Sequence, residues 1–188
     1  PFGVIANPDA TPKAIFVSAF DSAPLAPDYN FILKEEKAAI EAGMALLGRL
    51  TEGKVYLSAR KNDEGFMAEV KGVEYNTFEG KHPVGNVGVQ IHHLDRIAKG
   101  DIVWTVNIQD VAIIGRFVLT GKLDMSKIIV VAGSEAENRC YKRIISGAAV
   151  ESIVGAVKEN VRVISGNVLT GRTTAADGYI SADANMLT

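Results

Sequence analysis

The sequence AIFVSAFDSAPLAPDYNFILKEEKAAIEAGMALLGRLTEGKVYLSA, residues 14–59, holds an apolar run, an amphipathic segment and a second apolar run. The outer runs, Ala14–Phe20 and Lys54–Ala59, are rich in β-branched and aromatic residues, which favours buried strands. The apolar residues between them recur at helical spacing: Ile40, Met44 and Leu47. A strand, a helix and a second strand in this order predict a βαβ unit, whose usual consequence is a parallel sheet.

The ends of this predicted helix are marked by charge and by glycine. Glu35 and Glu36 stand where the positive end of a helix dipole favours negative charge. Gly53 follows Leu50 closely, and we expect it to end the helix in a left-handed conformation.

The α/β pattern continues after the second strand. A charged, glycine-containing surface loop at Asn62–Gly72 leads to a predicted strand at Val73–Phe78. A second helix is predicted at Ile108–Leu119, with Asn107 as its N-cap and Gly121 as its end. Its expected buried stripe consists of Val111, Ile114 and Val118.

The pattern changes near residue 127, where short strands replace the βαβ winding. The predicted elements are strands at Ile128–Ala132, Lys142–Ile145, Val161–Ile164 and Tyr179–Ser181, and a short helix at Val150–Val157. Strands with one short helix between them suit a compact α+β module. We therefore predict an α/β domain at residues 1–127 and a small α+β domain at residues 128–188.

Composition limits the classes of function. The 188 residues carry 20 basic and 22 acidic side chains, which provides no basic surface for nucleic acid. The single cysteine, Cys140, excludes an internal disulfide and an iron–sulfur cluster held by this chain alone, and it favours a reducing, cytosolic compartment. No run approaches the roughly 20 apolar residues that span a bilayer. Since the chain begins without methionine and stops in a polar stretch, we interpret it as a piece of a longer protein.

A glycine-rich run at residues 82–88, HPVGNVG, is the most suggestive motif. Two glycines three apart, after a strand and before a helix, could present backbone N–H groups to a phosphate. The candidate residues for such a site are His82, Gly85, Asn86 and Gly88. The full G-x-G-x-x-G pattern is missing, so a turn that needs positive φ and close packing is the favoured alternative.

Three histidines are present, and the adjacent pair His92 and His93 are further candidates for binding a ligand. Neighbouring side chains point in different directions on a helix or a strand, so the pair cannot easily share one metal ion. Asp95 could add a ligand, but the spacing matches no zinc pattern. We expect no metal site and favour histidines that form hydrogen bonds within a loop.

Other catalytic patterns are rejected. GRFVLTGK at residues 115–122 has five residues between its glycines and Leu123 in place of the Ser or Thr of a phosphate-binding loop, and it continues a helical stripe. Ser22 and Ser165 lack a flanking pattern that would activate a hydroxyl group. We therefore expect no catalytic residue in this chain.

Several stretches, in order along the chain, resemble a known family. They are AIFVSAFDSAPLA at 14–26, LTEGKVY at 50–56, HPVGNVGVQIHHLD at 82–95, WTVNIQDVAIIGRFVLTG at 104–121, IVVAG at 129–133 and VRVISGNVLTG at 161–171. Together they are similar to the A subunit of the sodium-translocating NADH:quinone oxidoreductase. Differences fall in segments such as the loop at Lys61–Gly72, where variation is tolerated.

The resemblance implies a peripheral component on the cytoplasmic side of a bacterial inner-membrane complex. That complex passes electrons from NADH to ubiquinone and exports sodium. Kinship with the flavoprotein subunit of complex I and the C subunit of the Rnf complex implies a Rossmann-like domain to about residue 127. After it, the kinship implies a ligand-binding β-grasp module of the SLBB type.

The resemblance also implies where cofactors and partners lie. FAD, FMN, riboflavin and the iron–sulfur or iron centres belong to other subunits, and the flavin loop of the complex I relative is reduced here to Gly85 and Gly88. The implied partners are the other subunits, especially the membrane-embedded B subunit. Ubiquinone contacts are implied chiefly for segments that precede this chain, so no residue is assigned to them.

Two hypotheses follow. In the first, the chain is a structural body that docks the A subunit onto the membrane subunits, with apolar surfaces at the contacts. In the second, it is a small-ligand module that retains a flavin, nucleotide or quinone site at residues 82–88, with His92 or His93 nearby.

Overall fold

The computed structural model describes residues 5–61 and 65–188. Contacts divide the chain into two units, Pro1–Ser22 with Tyr29–Asp124, and Ala23–Asp28 with Met125–Thr188. The predicted surface loop at Asn62–Gly72 lies partly outside the described residues, and its described part contains a 3₁₀ helix at Phe66–Glu69. Within the described ranges, no helix is both long enough and apolar enough to cross a bilayer.

The first unit is a parallel α/β structure, which confirms the predicted fold class. Its strands are β1 (Ala14–Ser18), β2 (Lys54–Arg60), β3 (Glu74–Phe78) and β4 (Val103–Asn107), and its helices are α1 (Tyr29–Ile32), α2 (Lys37–Leu47), α3 (Val87–Leu94) and α4 (Ile108–Thr120). The strands lie in the order β3-β2-β1-β4, and every pairing is parallel. Strand β4 was not predicted from the sequence.

Helices pack on both faces of this sheet. Ala14 and Phe16 of β1 form a buried cluster with Tyr56 and with Ile91 of α3. Ile15 and Val17 are also buried, and alternation along a strand directs them to the opposite face. Right-handed crossovers explain this arrangement, because the chain crosses the sheet in one direction through α2 and returns in the other through α3.

Helix α4 has the caps that the sequence predicted. The Asn107 side-chain oxygen accepts a hydrogen bond from the Gln109 backbone N–H at 2.9 Å, and Gly121 ends the helix with φ 69°. The predicted stripe was wrong in part, because Val118 is exposed and Ile114 is only half-buried. The buried face instead follows positions i, i+3, i+4 and i+7: Ile108, Val111, Ala112 and Gly115.

The prediction that Gly53 ends α2 was wrong. Helix α2 stops at Leu47, and its C-cap residue, Gly48, keeps a right-handed conformation. A Cβ atom on Gly53 would lie 1.9 Å from the carbonyl oxygen of Lys13. Gly53 is therefore required by the close approach of two backbone segments rather than by a left-handed turn.

The second unit is a mixed sheet with one short helix. Its strands are β5 (Ser126–Val131), β6 (Cys140–Ile145), β7 (Val163–Ser165), β8 (Arg172–Thr174) and β9 (Met186–Leu187), and its helix is α5 (Val150–Val154). The strand order is β6-β5-β9-β7-β8, with β5 and β9 parallel and the other pairings antiparallel. Strand β5 begins two residues before the predicted domain boundary.

Two features of the second unit differ from the sequence prediction. The segment Tyr179–Ser181 is not a strand, because Tyr179 forms only an isolated bridge with Ala149. Strands β8 and β9 were not predicted.

Lys127 is buried within β5, and its ammonium group donates a hydrogen bond to the Ala182 carbonyl oxygen at 2.6 Å. A buried lysine thus connects this strand to the turn before β9.

Candidate functional site

The strand order places a topological switch point between β1 and β4. Strands β2 and β3 extend the sheet on one side of β1, and β4 lies on the other. Ligands of open α/β sheets bind outside the carboxyl ends of the strands at such a point. The residues that follow β1 and β4 there include Asp21, Ser22 and Ile108. This edge is therefore the place where a cofactor site would be expected.

The glycine-rich run packs against Ser22 at this edge. The Gly85 backbone N–H donates a hydrogen bond to the Ser22 hydroxyl oxygen at 2.8 Å. The same hydroxyl lies 3.2 Å from Nδ1 of His82. The structure therefore brings two of the candidate residues together around a serine that the sequence did not connect with them.

Close packing explains the presence of Gly85. A Cβ atom at this position would lie 2.2 Å from the backbone nitrogen of Ser22, which leaves no room for a larger residue. Positive φ is found in this loop at Gly80 rather than at Gly85. Of the two requirements expected for the turn alternative, close packing is the one that applies to Gly85.

Two other backbone N–H groups of the loop form hydrogen bonds within the loop. Val84 donates to the Lys81 carbonyl at 3.1 Å, and Asn86 donates to the Pro83 carbonyl at 2.8 Å. The buried side chain of Gln90 donates to the Gly85 carbonyl at 3.4 Å. A phosphate cradle needs several N–H groups directed at one point. In residues 82–88, the N–H groups of Val84 and Asn86 turn into the loop itself, and that of Gly85 is directed at Ser22.

Asn86 and Gly88 lie at the start of α3. Asn86 is the N-cap residue, and its side chain forms no capping hydrogen bond. A Cβ atom on Gly88 would have no neighbour within 4 Å. Close packing therefore explains why residue 85 is glycine, but not why residue 88 is glycine.

Two carboxylates, Asp21 and Asp110, affect the electrostatics of the switch point. Tyr29 is buried, and its hydroxyl accepts a hydrogen bond from the Asn107 side-chain amide at 3.2 Å. Burial raises the pKa of Tyr29, and the nearby carboxylates Asp21 and Asp110 raise it further. Those carboxylates would repel a phosphate group. The guanidinium of Arg60 lies over the ring of Phe20, with its Cζ atom 4.9 Å from the ring centroid.

His92 and His93 lie in the last turn of α3, at the opposite end of the helix from residues 82–88. Both are exposed, and their rings are perpendicular with centroids 5.5 Å apart. His93 also lies 6.5 Å from the ring of Phe78. Over residues 5–61 and 65–188, no group of three His, Cys, Asp or Glu side chains is arranged to hold a metal ion. The six candidate residues therefore form two separate groups.

The contact between Ser22 and His82 was missed at the sequence level, because the residues are 60 positions apart and no motif links them. Ser22 has no flanking sequence pattern that would activate its hydroxyl group, and in the structure the His82 ring lies beside that hydroxyl. In serine hydrolases Nε2 of the histidine faces the serine, and Nδ1 faces an acid. Here Nδ1 faces the serine, and the serine oxygen also accepts the Gly85 N–H. This geometry fixes the loop and differs from that of the serine hydrolases.

The chain matches two family models. The model described as NqrA second alpha/beta domain matches residues 1–123, and the model described as NQRA C-terminal domain matches residues 128–176. The first match covers the parallel α/β elements, and the second begins within β5.

Curated relatives are named as the A subunit of Na(+)-translocating NADH-quinone reductase. The relative from Serratia proteamaculans is 42% identical over 179 residues, which are 93% of this chain and 39% of that protein. The relative from Alcanivorax borkumensis is 36% identical over 191 residues, covering 100% of this chain and 43% of that protein. The chain therefore spans about two fifths of the length of these relatives.

A solved structure supports the fold. The NAD+-reducing [NiFe]-hydrogenase in the air-oxidized state matches with a TM-score of 0.62 at 15% identity, over 96% of this chain and 41% of that chain. At this identity the match concerns the fold alone. The family models and the identity to curated relatives carry the assignment. The chain belongs to the NqrA family, the A subunits of Na(+)-translocating NADH-quinone reductases.

Proposed function

We propose that this chain is a structural and docking part of the A subunit in a sodium-translocating NADH:quinone reductase. The complex transfers electrons from NADH to ubiquinone and couples this transfer to sodium export. The chain lies on the cytoplasmic side of the bacterial inner membrane and contacts other subunits, especially the membrane-embedded B subunit. The flavins and iron centres are held by other subunits.

The hydrogen bonding of the glycine-rich run at residues 82–88 is the observation that carries this proposal. Gly85 is held against Ser22, and Val84 and Asn86 direct their N–H groups to carbonyl groups of the same loop. A flavin or nucleotide phosphate that used the N–H groups of Val84, Gly85 and Asn86 would have to displace these hydrogen bonds, and at the switch point it would approach Asp21 and Asp110. The loop therefore supports a role in packing rather than in cofactor binding.

An exposed apolar segment supports the docking role. Large apolar side chains are exposed at and after the end of α4: Phe117, Val118, Leu119 and Leu123. The most exposed of these is Leu123, at 69% of its full surface. Contiguous exposed apolar side chains are typical of protein contacts.

Assembly of the whole complex tests the docking role. Leu119→Asp and Leu123→Asp are introduced into the full-length A subunit, and its retention on complex purified through the B subunit is measured. We expect retention to fall. Leu169→Asp is the matched control, since Leu169 is exposed on the β7–β8 turn and lies outside the α4 segment. Full retention of both α4 variants would contradict docking through this segment.

A second candidate function is a residual flavin, nucleotide or quinone site. It is favoured by Gly88, whose position against open space leaves room for a ligand near the backbone. Titration of FMN, NADH and a short-chain quinone analogue into the purified chain tests it. Micromolar binding that Gly88→Val abolishes would support this candidate and contradict a chain that binds no cofactor. Gly88→Val is preferred to a change at Gly85, which would disturb the fold directly.

A further inference from the structure

The second unit contains a cavity of about 550 Å³ that has no connection with the glycine-rich loop. This volume is within the roughly 300–1,000 Å³ of small-molecule sites. Its floor is apolar and belongs to the buried core of the unit: Val131, Ile153, Val163 and Leu187. The cavity therefore offers an apolar surface to a small ligand without requiring a rearrangement of the core.

Basic groups stand around this apolar floor. Lys142 donates from its ammonium group to the carbonyl oxygens of Ser152 and Ile153, at 3.1 and 2.5 Å. These acceptors are neutral, so the positive charge of Lys142 is not cancelled. Arg162 is exposed at the rim, and in the part of the chain that the structure describes it forms no ion pair with a carboxylate.

Acidic groups compensate this charge only in part. Glu137 pairs with Lys158 at 3.5 Å, so these two lining residues offset each other. Glu135 is the remaining carboxylate among the lining side chains, against Lys142 and Arg162. The balance of the lining side chains is positive, although the whole chain has a formal net charge of −2.

We propose that this cavity binds a small amphipathic organic anion. The hydrocarbon body of the ligand lies on the apolar floor, and its carboxylate faces Arg162, with Lys142 adding long-range attraction. A chain carboxylate such as decanoate combines both properties in one molecule. The proposal does not depend on the docking role, because it concerns a different surface and a different kind of ligand.

Cys140 provides a reporter within the cavity wall. It is exposed, it lines the cavity, and it is the only cysteine in the sequence, so a thiol reagent reports on this position alone. The rate at which N-ethylmaleimide modifies Cys140 is measured on the purified 188-residue chain with increasing decanoate. We expect decanoate to slow the modification. Acetate, which lacks the tail, and decyltrimethylammonium, which reverses the charge, should leave the rate unchanged.

Charge variants locate the anionic end of the ligand. Arg162→Gln should weaken decanoate binding about two- to fivefold, the range for one exposed charge pair. Arg172→Gln, at an exposed position of β8 that does not line the cavity, is the matched control and should leave affinity unchanged. Calorimetry on Cys140→Ser should give the same affinity as the unchanged chain, since the thiol is only a reporter.

Three outcomes would overturn the proposal. The first is an unchanged rate of Cys140 modification at the highest decanoate concentration. The second is equal protection by decanoate and decyltrimethylammonium, which would make the charge irrelevant. The third is an equal loss of affinity in Arg162→Gln and Arg172→Gln, which would place the carboxylate elsewhere.

Discussion

Gly115 of α4 lies directly against the backbone of Ala39 in α2, so closely that a Cβ atom on Gly115 would fall 1.6 Å from the Ala39 carbonyl oxygen. The contact is reciprocal in kind, because a Cβ atom on Gly43 of α2 would lie 2.4 Å from the carbonyl oxygen of Val111 in α4. The two helices therefore touch through their backbones. Gly115 is the first glycine of the GRFVLTGK stretch, and its role is helix packing.

Gly115→Ala tests this contact. The added methyl group meets backbone atoms that cannot rotate away, so the helices must separate. We expect a loss of about 3 kcal/mol in the free energy of unfolding, at the upper end of the usual cost of overpacking. Urea denaturation of the purified chain measures it. A loss below about 1 kcal/mol would mean that α2 and α4 can move apart easily.

Gly88→Ala is the opposite case. A Cβ atom there meets nothing within 4 Å, and the residue is in a helix. Alanine costs less backbone entropy than glycine in a helix, so we expect stability to rise by about 0.5–1 kcal/mol. The same urea titration gives the value. A fall in stability would show that the backbone at the start of α3 depends on glycine.

Asn107→Ala removes both a helix cap and a partner of Tyr29. The lost cap at the Gln109 N–H alone should cost about 1–2 kcal/mol. Asn86→Ala is the matched control, because Asn86 is also an N-cap residue but makes no side-chain capping bond. It should change stability by less than about 0.5 kcal/mol. Equal losses in the two variants would contradict the difference between the caps.

The ion pairs of Lys13 predict a dependence on pH. Lys13 Nζ lies 2.8 Å from Asp95 and 3.2 Å from Asp101. The Ala98 backbone N–H, and then Lys13, hold the pKa of Asp101 below its ordinary value of 3.8. A carboxylate with a depressed folded-state pKa stabilises the fold above its unfolded pKa, and this contribution is lost as pH falls through the folded pKa.

Asp101→Asn should therefore be less stable than the unchanged chain at neutral pH. The difference should shrink as pH falls below about 4 and approach zero in stronger acid. Thermal unfolding across this range measures it. A double cycle with Lys13→Met separates the ion pair from the Ala98 hydrogen bond. A difference that is constant with pH would contradict the assignment.

Local sequence signals predicted the elements whose causes are local. Helix α4 was predicted with both ends, because a capping Asn and a terminal Gly act within one turn of the residues they affect. Strands β8 and β9 have three and two residues, too few for a period to be detected. Gly53 was given the wrong reason because its neighbour, Lys13, is 40 positions earlier in the chain.

At the candidate site, too, local sequence signals could not reveal contacts between residues that are far apart in the chain. The run at residues 82–88 was singled out for its two glycines, and close packing explains only Gly85. Its partner, Ser22, could not be identified, since a contact across 60 residues leaves no spacing to recognise. The cavity around Arg162 was also missed, because its lining comes from segments with no shared motif.

Residues 23–28 belong to the second unit, although they lie in sequence between β1 and α1 of the first. Within that unit, the Asp28 backbone N–H donates a hydrogen bond to the Tyr141 hydroxyl at 3.1 Å, across 113 positions of sequence. A gene break between residues 124 and 125 would therefore leave part of one unit behind in the other half. Recombination at that position could not exchange one unit without the other, so the two units would have to be exchanged together.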